Sequence, residues 1–278
     1  MNNTFDIKRF SLVMGKDFQE NWKRYGLQFL TMFGIIAVIL FLLSGSIYKN
    51  ISQIQGYWID VNVSLLILTC PLFFGFGVMF ASTLMEPMRS KTKRTAYLMN
   101  PASNFEKYLS RWLIVTVVYI IAFFVALWFA DLLRVAFFSV RYPEIDVNML
   151  NFGKLIGTDG VFPDNYLFCM CIILFLFCHS LCVLGSTFWE KNSFIKTFAA
   201  LIVIVFGFIM LSRWTILAFY GGFNQFGNVL SSIIDGNVIA ISDNNLTMAI
   251  TCVFVFFTLI NWAIAFFRFR ESEIIKRW

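Results

Sequence analysis

Six long apolar runs constrain this chain more than any other feature of its sequence. A helix that rises 1.5 Å per residue needs about 20 mostly apolar residues to cross a bilayer core of about 30 Å, and six segments meet that length. Strand-like alternation is absent from them, which argues against a membrane barrel. The spans are predicted at Leu27–Ile47, Ser64–Met85, Leu113–Phe138, Tyr166–Trp189, Phe194–Leu211 and Thr247–Phe267.

The composition agrees with a membrane protein. Apolar residues make up 59% of the chain and charged residues only 14%, whereas soluble domains carry about 25% charged residues. The apolar runs extend along the whole chain without a soluble block between them. We therefore expect a single all-helical membrane domain over residues 1–278.

Lysine and arginine are concentrated in alternate connections. Residues 1–26, 86–112, 190–196 and 268–278 carry most of the 22 basic residues. Because positively charged connections stay on the cytoplasmic side of a membrane, both termini are predicted to be cytoplasmic. The net charge of +6 then reflects topology, and we expect no nucleic-acid partner.

The first 26 residues have an amphipathic pattern. Phe10, Met14, Phe18, Trp22 and Tyr25 recur at spacings of three and four, and charged residues fall largely on the other side. This pattern predicts a helix that lies in the lipid headgroup layer. A plain cytoplasmic lead-in is the alternative.

Chemistry-bearing residues do not form a recognisable catalytic set. A membrane enzyme needs convergent acids, a metal cluster or an activated nucleophile, and the acidic residues here are scattered. The phosphate-binding motif G-x-x-x-x-G-K-[ST] is absent. We expect no catalytic residue, cofactor or metal in this chain, and we interpret Cys171, Cys178 and Cys182 beside His179 as packing rather than a soft-metal site.

A polar stretch, KTKRTAYLMNPASNFEKYLSRW, lies between the second and third spans at residues 91–112. Thr92 or Thr95 is predicted to begin a short helix and Pro101 to break it. Ser103 is predicted to cap a second helix, with Glu106 completing a capping box, S-x-x-E. The stretch therefore predicts a helix, a break and a second helix on the cytoplasmic surface, although a basic topology anchor would also explain its charge.

This stretch, together with six spans and two cytoplasmic ends, resembles the permease subunit of a type-two ABC exporter, of a kind common in Bacteroidetes. Residues 98–103 match the L-x-x-P-x-S break of that family. The resemblance implies that residues 91–112 dock a separate ATPase subunit, which would hold ATP and Mg²⁺. It also implies a second permease chain, identical or different, in the bacterial cytoplasmic (inner) membrane. The implied coupling residues are Arg94, Tyr97, Leu98, Pro101, Ser103, Glu106, Lys107 and Arg111.

Two further regions bear on a transport pathway. Residues 212–246 are too interrupted by glycine to span the membrane, and we expect short re-entrant or surface helices there. The resemblance implies that such helices close the outer mouth of the transport pathway. A lipid-contacting surface loop is the alternative. The connection between spans three and four, residues 139–165, is longer than the family leads one to expect. Candidate pathway residues are Pro71, Gly75, Gly77, His179 and Asn261.

Two other classes of function stay open. An ion-coupled secondary carrier would need polar groups near the midplane of facing spans, for which His179 and Asn261 are the candidates. A non-transporting scaffold or sensor would use residues 91–112 to dock a signalling partner. Asp131 and Arg134 are spaced to pair, but they lie near the predicted outer interface, and we favour side chains that snorkel toward water there.

Overall fold

The computed structural model describes residues 5–53, 60–158, 160–189, 192–220 and 243–271, and most of these residues are helical, with no strand among them. Between the fourth and fifth helices the chain forms a π-helical turn at Ile114–Val118, and 3₁₀ turns lie at Glu86–Met88 and Phe152–Leu155. The α-helices of the described ranges are α1 (Ile7–Gln53), α2 (Val61–Ala81), α3 (Lys91–Leu98), α4 (Asn104–Leu113), α5 (Tyr119–Arg141), α6 (Asn165–Phe188), α7 (Ser193–Tyr220) and α8 (Asp243–Glu271).

Six helical stretches among the described residues are long and apolar enough to cross a membrane. They confirm the prediction of an all-helical multi-pass membrane protein. The side on which the termini lie stays a prediction. The stretches are Ile7–Ile51, Val61–Met88, Asn104–Arg141, Asn165–Phe188, Ser193–Thr215 and Thr251–Glu271.

Helix α1 is longer than a span. Its 47 residues extend about 70 Å at 1.5 Å per residue, more than twice a bilayer core of about 30 Å. The segment predicted as a separate interfacial helix is helical from Ile7 and continues into the first span. Its orientation to the bilayer surface stays a prediction.

Two clusters of buried side chains hold the helices together. The first joins α1, α2 and α5 and includes Phe175 of α6. The second joins the end of α2 to α4, α6 and α8. Helix α7 packs on α6. Gly185 of α6 lies so close to Thr197 of α7 that a Cβ at position 185 would overlap the Thr197 side chain. Beyond that contact, most described side chains of α7 are exposed.

Helix α7 also ends later than the sequence pattern indicates. It continues past Leu211 to Tyr220, because no glycine or proline interrupts residues 212–220. The first part of the predicted outer segment is therefore helical and continuous with the fifth span. Residues 221–242 lie outside the described residues.

The connection between α5 and α6, residues 142–164, is fastened to α5 by a buried ion pair. Arg134 Nε lies 2.6 Å from Asp131 Oδ1, and both side chains are buried. Asp131 Oδ2 accepts a bond from the Leu150 amide at 2.8 Å, and Arg134 donates to the Asn148 carbonyl and to the Tyr48 hydroxyl, both at 2.8 Å. The snorkelling interpretation is wrong, because the connection folds back and supplies the polar partners that water would otherwise supply.

Candidate functional site

The basic segments of the chain meet at one end of the helical bundle, which we call the basic end. There the first half of α1 contacts α4, the Arg89 side chain donates to Asn192 in the α6–α7 turn at 3.4 Å, and the ring of Tyr97 lies 6.3 Å from that of Phe269 near the end of α8. The predicted docking segment is therefore packed among the other basic segments.

Residues 91–113 fold as two short helices, α3 and α4, and we call them the hairpin. The side chain of Ser90 caps α3 by accepting a bond from the Lys93 amide at 3.3 Å. The prediction that Thr92 or Thr95 begins this helix is wrong, because Ser90 already has the extended backbone and the hydroxyl that an N-cap requires.

Helix α4 begins with the predicted capping box. Ser103 Oγ accepts a bond from the Glu106 amide at 3.2 Å, and Glu106 Oε2 accepts one from the Ser103 amide at 2.9 Å. Two amide groups that have no partner within the helix are thereby satisfied. The predicted break and second helix are confirmed.

Glu106 also ties the hairpin to the start of α1. Its other carboxylate oxygen, Oε1, accepts a bond from the Asp6 amide at 2.8 Å and lies 3.2 Å from Arg9 Nη2. The Glu106 side chain is 0% exposed. A fully buried carboxylate is tolerated because two amides and a guanidinium bond its two oxygens.

A second link to α1 is an ion pair between Asp17 and Arg111. Arg111 Nη2 lies 2.6 Å from Asp17 Oδ1. Arg111 Nη1 also donates to the Tyr25 hydroxyl at 3.1 Å, and that hydroxyl donates to Asp17 Oδ2 at 3.0 Å. Asn21 donates to Asp17 Oδ1 at 3.1 Å. The four side chains form a closed network between α1 and α4.

Bonds within the hairpin and to the preceding 3₁₀ turn fix its shape. Arg94 donates to the Met88 carbonyl through two nitrogens, at 3.2 and 2.9 Å. The Tyr97 hydroxyl donates to the Lys107 carbonyl at 2.9 Å, and Lys107 Nζ donates to the Leu98 carbonyl at 3.0 Å. Burial raises the pKa of Tyr97, so its hydroxyl stays a neutral donor.

Aromatic residues of α4 attach the hairpin to α8. The Tyr108 hydroxyl donates to the Trp262 carbonyl at 3.2 Å, and the Tyr108 ring lies 5.5 Å from that of Phe266. The Trp112 and Trp262 rings meet edge to face at 5.1 Å. The hairpin is thus bonded to the first and the last described helix of the bundle.

The hairpin is exposed at several positions of α3 and at the start of α4, and part of this exposed surface lies near its bend. Met99 is 78% exposed, and Thr95, Ala96 and Pro101 are also exposed. We call these four residues the tip. By contrast, Glu106, Lys107 and Arg111 are buried, so these three predicted coupling residues hold the hairpin in place and do not present a surface.

A cavity of about 200 Å³ lies between α1 and α3, beside the Asp17–Arg111 pair. Its charged lining residues are of both signs, and Arg24 pairs with Glu86. They are Lys16, Asp17, Glu20, Arg24, Glu86, Lys93 and Arg111.

The five candidate pathway residues lie on three helices, α2, α6 and α8, and differ in their exposure. Pro71 and Gly75 are exposed on α2, whereas Gly77 faces the ring of Phe175 so closely that a Cβ would overlap it. His179 and Asn261 are buried, and each makes a hydrogen bond between helices. His179 Nε2 lies 3.3 Å from the Val115 carbonyl of the π-helical turn, and Asn261 donates to Ser180 Oγ at 3.0 Å.

Asp17 and Trp262 are among the site residues that sequence reasoning missed. Asp17 lies four residues after Val13 and eight before Tyr25, on the stripe that faces the hairpin. A carboxylate inside an otherwise apolar stripe is a signal for a buried partner. Trp262 carries no comparable signal, because its contact with α4 is made through its carbonyl and its ring.

Among the residues that the structure describes, no group of three histidine, cysteine or acidic side chains is arranged to hold a metal ion. Comparisons of the chain with protein families, with curated proteins and with solved structures found no match.

Proposed function

We propose that this chain is the membrane-spanning permease subunit of an ATP-driven ABC exporter, and that the hairpin docks a separate ATPase subunit. The observation that carries the proposal is a rigid, capped hairpin whose exposed tip lies at the basic end, where positively charged connections indicate the cytoplasm. An anchor that served topology alone would need the charges but not the capping box and the buried ion pairs.

The hairpin is built to transmit a displacement. Its internal bonds resist bending, and the pairs Asp17–Arg111 and Arg9–Glu106 join it to α1. Tyr108 joins it to α8. A push on the tip would therefore move helices rather than deform the hairpin, and shifts of packed helices are a common means of switching between two states.

In this proposal the chain has no catalytic role. ATP and Mg²⁺ would be held by the partner ATPase, and the pathway would form between two permease chains, identical or different, in a bacterial inner membrane. The exposed positions Pro71 and Gly75 of α2 support a pathway or a chain–chain contact on that face, because small residues allow helices to approach closely in lipid.

The test is co-purification of an ATP-hydrolysing subunit with the tagged full chain from mild detergent. Met99→Arg places a bulky charge at the tip without removing a buried contact. Met149→Arg is the matched control, because Met149 is exposed on the connection at the opposite end. The proposal expects the ATPase to be lost with Met99→Arg and kept with Met149→Arg.

Charge reversal at Glu106 or Arg111 would be a poor test. Both side chains are buried with partners inside the chain, so a reversed charge would disrupt the hairpin itself. Loss of the ATPase would then report misfolding rather than docking.

An ion-coupled carrier is the second candidate. Its support is the pair of buried polar side chains His179 and Asn261 on the packed helices α6 and α8, because polar groups inside spans often mark ion or proton routes. The carrier would be favoured if the chain purified without any ATPase and if an imposed proton gradient drove a solute across the membrane of vesicles that contain it. A scaffold would dock a partner at the same tip, but that partner would not hydrolyse ATP.

A further inference from the structure

A second cavity, of about 150 Å³, lies at the basic end where α2, α6 and α7 meet. Its lining combines two arginines, Arg24 and Arg89, with the first residue of α7, Ser193, and two aromatic residues, Trp189 and Phe194. The cavity therefore has a cationic part and an apolar part side by side.

The Ser193 hydroxyl is a polar group that a ligand of the cavity could bond. The residue is only 9% exposed, and its Oγ has no hydrogen-bond partner in the described part of the chain. A buried hydroxyl without a partner costs free energy. Since this side chain lines the cavity, a group that accepts a hydrogen bond there would remove that cost.

The helix that begins at Ser193 adds amide donors. Helix α7 has 28 residues, and the first N–H groups of any α-helix have no acceptor within the helix. Together with the positive end of the helix dipole, such amides favour an anion, and phosphate is among the anions that bind there.

The charges in the cavity also favour an anion. Arg24 pairs with Glu86, whereas the exposed Arg89 has one long bond, 3.4 Å, to Asn192 Oδ1. Among the described lining residues, the charged side chains thus carry one positive charge in excess. The nearby hydroxyls of Ser82 and Ser186 already donate to backbone carbonyls, whereas Arg89 and Ser193 have donor groups that a ligand could use.

We propose that this cavity binds the phosphate group of an anionic phospholipid from the leaflet at the basic end. The apolar part of the cavity favours a lipid over free phosphate as the ligand. Trp189 and Phe194 flank the cavity, and the exposed Ile195 and Phe198 continue from it along α7, which gives the acyl chains an apolar surface. Basic pockets between membrane helices on the cytoplasmic side are known to suit such headgroups. The inference requires only that the chain lies in a membrane.

The test measures binding of phosphatidylglycerol to the delipidated full chain by native mass spectrometry. Arg89→Gln should weaken binding by about five-fold or more, from the loss of one basic contact. Ser193→Ala should weaken it by a smaller but measurable factor. Lys23→Gln is the matched control, because Lys23 has the same charge at the same end and does not line the cavity; it should leave binding unchanged.

Inorganic phosphate, added in excess, distinguishes the two sources of a phosphate group. The proposal expects it not to displace the lipid, and displacement at concentrations comparable to the lipid would overturn the lipid assignment. Equal binding by the parent chain, Ser193→Ala and Arg89→Gln would overturn the site. Should Arg89→Gln fail to fold, Ser193→Ala decides alone, because the hydroxyl that it removes bonds nothing in the described structure.

Discussion

Arg111 on α4 and Asp17 on α1 form a buried ion pair across 94 residues of sequence, with 2.6 Å between Arg111 Nη2 and Asp17 Oδ1 and each side chain 8% exposed. A buried charge has lost its favourable free energy of solvation. Only a close opposite charge and hydrogen bonds offset that loss. The hairpin and the first helix are therefore expected to move as one unit.

Removal of one partner of this pair should be strongly destabilising. Arg111→Met leaves Asp17 buried without its counterion, and we expect a loss of about 3–5 kcal/mol in the free energy of unfolding. The double variant Asp17→Asn with Arg111→Met should recover much of that loss. Denaturant unfolding in detergent micelles measures both.

The control for this prediction is an exposed pair on the same helix. Lys16 and Glu20 lie 3.8 Å apart with side chains 50% and 62% exposed. Lys16→Met should cost less than about 0.5 kcal/mol. Equal effects of Lys16→Met and Arg111→Met would contradict the role assigned to the buried pair.

Loss of Arg134 should release the connection between α5 and α6. Arg134→Gln leaves Asp131 buried and removes the bond to the Asn148 carbonyl, so we expect a destabilisation of about 3 kcal/mol. Hydrogen exchange at the Leu150 amide, which bonds Asp131, should accelerate more than exchange at the hairpin. Arg141→Gln, an exposed arginine on the same helix, is the control and should leave the exchange unchanged.

Lys154 and Asp60 connect that same loop to the start of α2, and their pairing has a defined pH dependence. The hydrogen bond from Lys154, followed by Asp60's bonds to the first amides of α2, lowers the pKa of Asp60 below its ordinary value of 3.8. A lowered pKa in the folded state means that the stabilisation is present above the ordinary value and is lost as the pH falls through the lowered one.

The effect of Lys154→Gln on the unfolding midpoint should therefore be the same at any pH between about 5 and 8, where Asp60 is ionised in both states. Because both side chains are about 40% exposed, the loss in the free energy of unfolding should be below about 1 kcal/mol. A midpoint difference that grows across this pH range would show that another group titrates at the loop.

His179 is expected to be a structural donor to the π-helical turn. His179→Leu removes the group that bonds the Val115 carbonyl and should lower stability by about 1 kcal/mol, the usual net value of such a bond. His179→Gln keeps a hydrogen-bond donor of similar reach, so its stability should be close to that of the parent chain. If His179→Gln instead abolished a proton-driven transport activity while stability was unchanged, that result would support the ion-coupled carrier.

The sequence was informative where local chemistry decides the structure. The capping box needs only Ser103 and Glu106 at the right spacing, and the spans need only length and hydropathy, so both could be predicted. The burial of Arg111 and Arg134 could not be, because it depends on which distant residue, Asp17 or Asp131 with Asn148, the fold places beside each guanidinium. Without those partners in view, the same arginines look like exposed docking or snorkelling residues.

The most direct test of the proposed function is photo-crosslinking from the tip in native membranes. A photoreactive amino acid at position 99 should give an adduct with a subunit that binds ATP, and the same amino acid at position 149 should not. The adduct is identified by mass spectrometry of the crosslinked peptide and by ATP binding of the purified partner. An adduct at neither position, or one at position 99 with a protein that does not bind ATP, would contradict the assignment of the hairpin as an ATPase-docking element.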